Sequence, residues 1–164
     1  TVIRTAAMDC YILPCEYMGF DTTSIASSDT FAALQTGVVE GLAGSTPAGA
    51  YLNYRDIIDY YYAYQMSPEV TQIMISEKTL AKLSPEDQKT IVDICRQECA
   101  NSVNYAKEED EKYLKLMEDN GSKIVRFSDE EIEMFAEAVR TDVWPQLAKT
   151  YGEDFINELL KLYK

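Results

Sequence analysis

A single unbroken helix is predicted from Ser84 to Gly121, and it limits the possible folds more than any other feature of the chain. Serine is a good N-cap, Pro85 suits the first helical position, and acidic residues fill the first turn. The periodic pattern continues to Asn120, so the helix would have about 36 residues and a length of about 54 Å. Its apolar stripe comprises Val92, Cys95, Cys99, Val103, Ala106, Tyr113 and Met117. We expect this stripe to pack within the domain rather than in a coiled coil, because helices are stabilised mainly by burying one face locally.

The N-terminal part of the chain alternates short strands with helices. Val2 to Thr5 is predicted to be a strand, and Thr23 to Ser27 a second strand. Between them, Met8 to Met18 is predicted to be a helix that Pro14 kinks or delays. Strands that alternate with helices are typical of βαβ units. The expected fold class is therefore α/β, with a parallel component in the sheet.

The segment from Ser28 to Gly41 carries the clearest strand and loop signal. Ser27 or Ser28 would cap a short helix, which a glycine would end. Residues 38–39 then read as a short buried strand that leads to the glycine-rich loop 44–47. Because open α/β sheets bind ligands at the carboxyl ends of their strands, this loop is a candidate binding element.

The other segments carry helical, strand or aromatic patterns of the same kind. They are a helix from Ala48 to Tyr61, a tyrosine cluster within Asp59 to Met66, a strand from Val70 to Ile75, a short helix capped by Ser76 and ending near Leu83, a strand from Ile124 to Phe127, a helix capped by Ser128 and bent or broken by Pro145, and a last helix from Glu153 to Lys164 after Gly152. The tyrosines could stack on a ligand or fill a core, and we favour the core because aromatic side chains bury a large apolar area.

The charge balance and the missing histidine exclude several functions. Fifteen basic and 28 acidic residues give a net charge of −13, which opposes binding to nucleic acid or to an anionic membrane surface. Without histidine, Ser-His-Asp and Cys-His catalytic sets are impossible, and no pair of carboxylates stands out as catalytic. We expect the four cysteines to be small buried residues, since Cys10, Cys15, Cys95 and Cys99 match no common zinc spacing. We therefore predict no enzymatic activity, metal or cofactor.

Arg4 lies inside an otherwise apolar strand start and needs a partner there. One explanation is a structural ion pair with one of the many carboxylates. The other is bidentate capture of a ligand carboxylate, for which the planar guanidinium is well suited. The spacing leaves both explanations open.

The order of these motifs resembles that of the DctP-type solute-binding proteins of TRAP transporters, over almost the whole chain. That family places an arginine at a strand end and follows it with S-E-x-Y, A-L-Q-x-G and V-D-G motifs. The matching segments are 2–4 (VIR), 28–31 (SDTF), 33–37 (ALQTG), 39–41 (VEG), 51–61 (the family's Y-x-x-x-[KR]-[DE]-V-x-K-Y stretch) and 83–88 (LSPEDQ). The resemblance implies a non-enzymatic protein that captures a small organic acid outside the cytoplasmic membrane and delivers it to the subunits of a TRAP permease.

The resemblance also implies a ligand site. Arg4 matches the arginine that grips the ligand's carboxylate, and Ser27 and Gly44 match pocket positions that are often aromatic and asparagine, respectively. Serine and glycine at these positions would make the pocket roomier or less polar. The predicted ligand-binding residues are Arg4, Ser27, Gly44, Ser45, Thr46, Tyr64 and Gln65.

The resemblance covers only the C-terminal half of a two-lobed, type II-like periplasmic-binding-protein fold. It implies a ligand-facing α/β lobe in residues 1–66, a strand, the long spanning helix and a return strand in 67–127, and C-terminal helices in 128–164. The N-terminal lobe would be absent and a signal peptide already removed. The surface exposed by the missing lobe would then favour a homodimer. The competing hypothesis is a stand-alone helical interaction module that works through the long helix.

Overall fold

The computed structural model describes residues 1–67, 70 and 72–163. Within these residues the protein contains a three-stranded parallel sheet, a two-stranded parallel sheet and eight α-helices. The predicted α/β class with parallel strands is confirmed.

The three-stranded sheet has the strand order β2-β1-β3. Its strands are β1 (Val2–Thr5), β2 (Asp21–Ser24) and β3 (Gly41–Leu42), and all pair in parallel. Helix α1 (Asp9–Tyr17) connects β1 to β2 and runs through the buried Pro14 without interruption, and α2 (Thr30–Gln35) lies between β2 and β3. Parallel pairing requires such crossover connections, which is why helices and strands alternate here.

Strand β2 lies earlier in the chain than predicted. It spans Asp21–Ser24 rather than Thr23 to Ser27. The chain leaves the sheet after Ser24 because its next carbonyl groups bond elsewhere. The Ile25 carbonyl accepts from Arg4 Nε at 2.9 Å, and the Ala26 carbonyl accepts from Asp29 N and Thr30 Oγ1.

Two expectations for the segment from 27 to 41 are wrong. Ser27–Asp29 forms a 3-10 turn, and α2 begins at Thr30 with no capping bond from a side chain, because the Ser28 hydroxyl donates to the neighbouring carboxylate of Asp29. Residues 38–39 form no strand. Their amides both donate to the Ala33 carbonyl and so belong to the C-terminal cap of α2, which leaves Gly41 as the first residue that pairs with β1.

The region that follows β3 differs from the helix that was predicted from Ala48 to Tyr61. Helix α3 (Pro47–Tyr54) ends seven residues before the expected Tyr61, and the tyrosine cluster forms β4 (Tyr60–Tyr62), which pairs in parallel with β5 (Lys123–Val125). Strand β5 begins at Lys123, one residue before the predicted start at Ile124. Of the predicted strand from Val70 to Ile75, Thr71 lies outside the described residues and the rest is not in a strand.

Helix α5 (Pro85–Asp119) confirms the long-helix prediction, and the short helix before it, α4 (Glu77–Leu80), is capped by Ser76 as predicted. Ser84 Oγ accepts from Asp87 N, and α5 is continuous over 35 residues. The core lies at its C-terminal end, where Leu114 and Met117 pack with Ala50 of α3. The expected local packing of the whole stripe is wrong, because Val103 is 76% exposed and Cys99 is also exposed.

The C-terminal region confirms the predicted helix breaks. Helix α6 (Asp129–Ala138) starts with a Ser128 capping box, and a π-helical stretch (Val139–Val143) separates it from α7 (Trp144–Tyr151), which holds Pro145 in its first turn. A left-handed Gly152 leads into α8 (Glu153–Leu162). Within the ranges that the structure covers, no helix combines the length and apolar composition needed to cross a bilayer.

Candidate functional site

The carboxyl edge of the three-stranded sheet gathers three chain segments. Because the strands are parallel, the residues after β1, β2 and β3 all emerge at this edge. The Ala43 amide donates to the Arg4 carbonyl at 2.9 Å and so fixes the loop after β3 next to β1. Five of the predicted site residues, Arg4, Ser27, Gly44, Ser45 and Thr46, belong to these segments.

The Arg4 side chain is oriented by two hydrogen bonds across this edge. Its Nε donates to the Ile25 carbonyl at 2.9 Å, and its Nη2 donates to Ser27 Oγ at 3.1 Å. No ion pair links Arg4 to a carboxylate within the described part of the chain. The structural ion pair is therefore not found there, and the guanidinium keeps N–H groups that can bind an anion.

The loop 44–46 is fixed by contacts on both sides. Gly44 has a φ of +83°, a left-handed conformation that favours glycine. Thr46 caps α3 by accepting from Gly49 N at 3.1 Å, and the Ser45 carbonyl accepts from the Tyr61 hydroxyl at 3.1 Å. The loop is thereby held by α3 and by β4 of the second sheet.

Tyr64 and Gln65 lie in a different environment. The Tyr64 ring stacks on Phe127 at 4.7 Å between ring centroids and meets Phe135 edge-on at 5.4 Å, and burial raises the pKa of its hydroxyl. Gln65 is exposed and has a φ of +51°. Throughout the residues described, no hydrogen bond or ring contact joins either of them to Arg4 or to the loop 44–46. Their part in ligand binding stays a prediction.

Two residues at this edge were missed by the sequence reasoning. Tyr11, in the first turn of α1, lies against Gly44, where an added Cβ would be only 3.0 Å from Tyr11 Cε1. Thr5, the last residue of β1, is fully buried, and its Oγ1 has no hydrogen-bond partner among the described residues. Only its position just after Arg4 could have pointed to Thr5, whereas nothing in the sequence links Tyr11 to Gly44.

The arrangement is suited to holding an anion. In the described portion of the chain, no group of three or more cysteine, aspartate or glutamate residues is placed to hold a metal ion. The four cysteines are free; Cys15 is buried, whereas Cys10 and Cys99 are exposed, so the expectation that all four are buried is wrong. The fixed Arg4 guanidinium, which keeps unused N–H donors, is the group at this edge that is best suited to bind an anion.

Comparison with known proteins gives a consistent result. The profile of the family described as bacterial extracellular solute-binding protein, family 7 (DctP), matches residues 2–150. A TRAP periplasmic solute-binding protein from Sulfitobacter sp. with bound β-D-galacturonate is similar in fold, with a TM-score of 0.73 and 22% identity over 96% of this chain and 52% of its own. A second, from Shewanella oneidensis with bound succinate, has a TM-score of 0.72 and 19% identity over 95% of this chain and 51% of its own.

An apo, open structure from Escherichia fergusonii shows the same relation, with a TM-score of 0.72 and 19% identity over 95% of this chain and 51% of its own. The chain therefore spans about half the length of the solved structures that it matches. No curated protein sequence matches it.

Proposed function

The chain belongs to family 7 of the bacterial extracellular solute-binding proteins, the DctP family of TRAP systems, and we propose that it forms one lobe of a protein that binds a small organic acid. The observation that carries this proposal is Arg4, whose guanidinium is fixed at the carboxyl edge of a parallel sheet and has no carboxylate partner within the described residues. A ligand carboxylate would complete its hydrogen bonds. The acids named for the similar structures, galacturonate and succinate, have this chemistry.

The remaining assignments follow from the family. Residues 1–66 would form the ligand-facing lobe, and 67–127 would link it to a second lobe that closes over the ligand, with 128–164 as supporting helices. Ser27 and the loop 44–46 would shape the pocket, and Tyr64 and Gln65 would contact the ligand from the end of the same lobe. The protein would act at the outer face of the cytoplasmic membrane, without enzymatic activity, and pass its ligand to a TRAP permease.

A specific observation favours a further contact surface on α5. Val103 is 76% exposed, and Cys99, one turn before it on the same face, is also exposed; both belong to a helix whose other end is packed. This surface would serve a homodimer or, in the alternative hypothesis, a helical interaction module. Light scattering after size exclusion tests it, because Val103→Asp should convert a dimer into a monomer and should leave a monomer unchanged.

The acid-binding proposal is tested by Arg4→Lys in the complete protein. Lysine keeps the charge but presents no planar fork, so affinity for the acid that binds best among succinate and galacturonate should fall about 10- to 100-fold. Isothermal titration calorimetry measures this change. Arg96→Lys, on the exposed surface of α5, is the matched control and should leave affinity unchanged. Equal affinities for the wild type and Arg4→Lys would refute the role of Arg4.

A further inference from the structure

The space over Gly44 is occupied by the ring of Tyr11. Three ring atoms, Cε1, Cδ1 and Cζ, lie 3.0, 3.2 and 3.9 Å from the position that a Cβ on Gly44 would take. A side chain on residue 44 would therefore collide with this ring unless Tyr11 moved. Two features favour glycine at residue 44. Its φ of +83° suits glycine, and the Tyr11 ring occupies the space that a side chain would need.

Several other polar groups of the loops at this edge already accept hydrogen bonds from within the protein. Ser27 Oγ accepts from Arg4 Nη2, Thr46 Oγ1 accepts from Gly49 N as the cap of α3, and the Ser45 carbonyl accepts from the Tyr61 hydroxyl. By contrast, the half-buried Tyr11 has no hydrogen bond to its hydroxyl from any described residue. This lobe thus offers a ligand one cationic anchor and one aromatic ring with a free hydroxyl, beside the Ser27 and Thr46 hydroxyls, which are partly engaged within the protein.

We propose that Tyr11 is a specificity-determining residue of the proposed site, and that it selects carboxylic acids with an aromatic or apolar body over polyhydroxylated sugar acids. Arg4 would hold the carboxylate while the Tyr11 ring packs against the body of the ligand. The hydroxyl groups of a sugar acid would meet an aromatic ring where residue 44 could otherwise supply an amide, and unpaired hydroxyl groups lower affinity. This inference rests on the proposed function.

The test is calorimetry on the complete protein with three probes, phenylacetate, succinate and D-galacturonate. The wild type should bind phenylacetate at least about tenfold more tightly than galacturonate, since galacturonate hydroxyl groups left without partners lower its affinity. Tyr11→Ala should weaken phenylacetate binding about tenfold and reduce the preference, whereas Tyr11→Phe should retain it because the ring is kept. Gly44→Asn should displace the ring and shift the preference towards galacturonate.

The outcomes separate this inference from the proposed function. If affinities depend on Arg4 but galacturonate binds more tightly than phenylacetate in the wild type, the role of Tyr11 is overturned and acid binding stands. An unchanged preference in both Tyr11→Ala and Gly44→Asn has the same meaning. If Tyr11→Ala does not fold, the other two variants test the role of Tyr11. Loss of the preference for phenylacetate in Gly44→Asn, together with its retention in Tyr11→Phe, would support selection by the aromatic ring. If Arg4→Lys changes no affinity, the proposed site itself is wrong, and the assignment of Tyr11 falls with it.

Discussion

Thr5 and Thr30 are both completely buried, yet the structure pairs only one of their hydroxyl groups. Thr30 Oγ1 donates to the Ala26 carbonyl at 3.1 Å, whereas Thr5 Oγ1 has no hydrogen-bond partner in the described ranges. Burying an unpaired hydroxyl costs free energy that a methyl group of similar shape does not cost. The two residues therefore form a matched pair for measuring this effect.

Thr5→Val should raise the free energy of unfolding by about 1 kcal/mol, because it removes a buried unpaired hydroxyl. Thr30→Val should lower it by about 1 kcal/mol, because it removes a hydroxyl that is bonded. Urea denaturation followed by circular dichroism measures both changes. A loss at Thr5 as large as that at Thr30 would show that the Thr5 hydroxyl is paired in solution.

The cysteines should differ in reactivity. Burial raises the pKa of the Cys15 thiol from 9.0 to about 11, with a smaller contribution from Glu16, whereas Cys10 and Cys99 are exposed. Since the thiolate is the nucleophile, iodoacetamide at pH 8 should modify Cys10 and Cys99 well before Cys15. Mass spectrometry of the native and the urea-unfolded protein measures this order. Equal rates at Cys10 and Cys15 in the native state would contradict it.

At the scale of single residues, predictability depended on whether the signal was local. Arg4 stood out because a charge inside an apolar strand is unusual, and Gly44 because its segment follows a strand. Tyr11 did not stand out, since its role depends on how α1 lies across a loop far away in the sequence. Contacts of that kind follow from packing and not from spacing.

At the scale of elements, the caps at Ser76, Ser84 and Ser128 were predicted correctly, whereas of the strands only β1 was predicted with its bounds. The serine, proline and acidic residues at the start of α5 identify that helix from residues close together in the chain. Strand β3 contains only Gly41 and Leu42 and exists because they pair with Ile3 and Arg4. The helical spacing of Tyr51, Tyr54, Ile57 and Ile58 led to a helix prediction that ran to Tyr61, and the pairing of β4 with β5 overrides that local pattern.

Two serines test the difference between an apparent cap and a real one. Ser128 exchanges two hydrogen bonds with Glu131 in a capping box, so Ser128→Ala should lower the free energy of unfolding by about 1 kcal/mol. Ser28 looks like a cap in the sequence but makes no capping bond, so Ser28→Ala should change it by less than about 0.5 kcal/mol. Urea denaturation of both variants measures this. Equal losses would mean that Ser28 caps α2 in solution.

At the scale of the whole molecule, the C-terminal helices are held to α1 by polar contacts around a small apolar centre. The Tyr17 hydroxyl donates to Asp142 at 2.6 Å, and Thr150 donates to Asp9. Val143, Leu147 and Ile156 are buried in the same region. Helix α1 of the N-terminal region thus packs against the C-terminal region at the π-helical stretch and α7.

Stability should fall in alkali through Tyr17. Its hydrogen bond to Asp142, with burial and the carboxylate charge, raises the Tyr17 pKa above its ordinary value of 10.0. The folded state then keeps a proton that the unfolded chain loses, so this contribution is complete below about pH 10 and is lost as pH rises through the folded pKa. Thermal unfolding between pH 8 and 11 should show a smaller alkaline loss for Tyr17→Phe than for the wild type. Tyr105→Phe, on the exposed surface of α5, should behave as the wild type, and identical alkaline losses in all three proteins would contradict the prediction.

The long helix also has a mechanical consequence. Leu114 and Met117 fix α5 near one end, and from Leu114 back to Pro85 it extends about 44 Å at 1.5 Å per residue. A rotation of about 10° at the packed end would displace the other end by about 8 Å over that length. Helix α5 is therefore a lever, which amplifies a side-chain-sized adjustment in the core into a movement larger than the spacing between neighbouring strands.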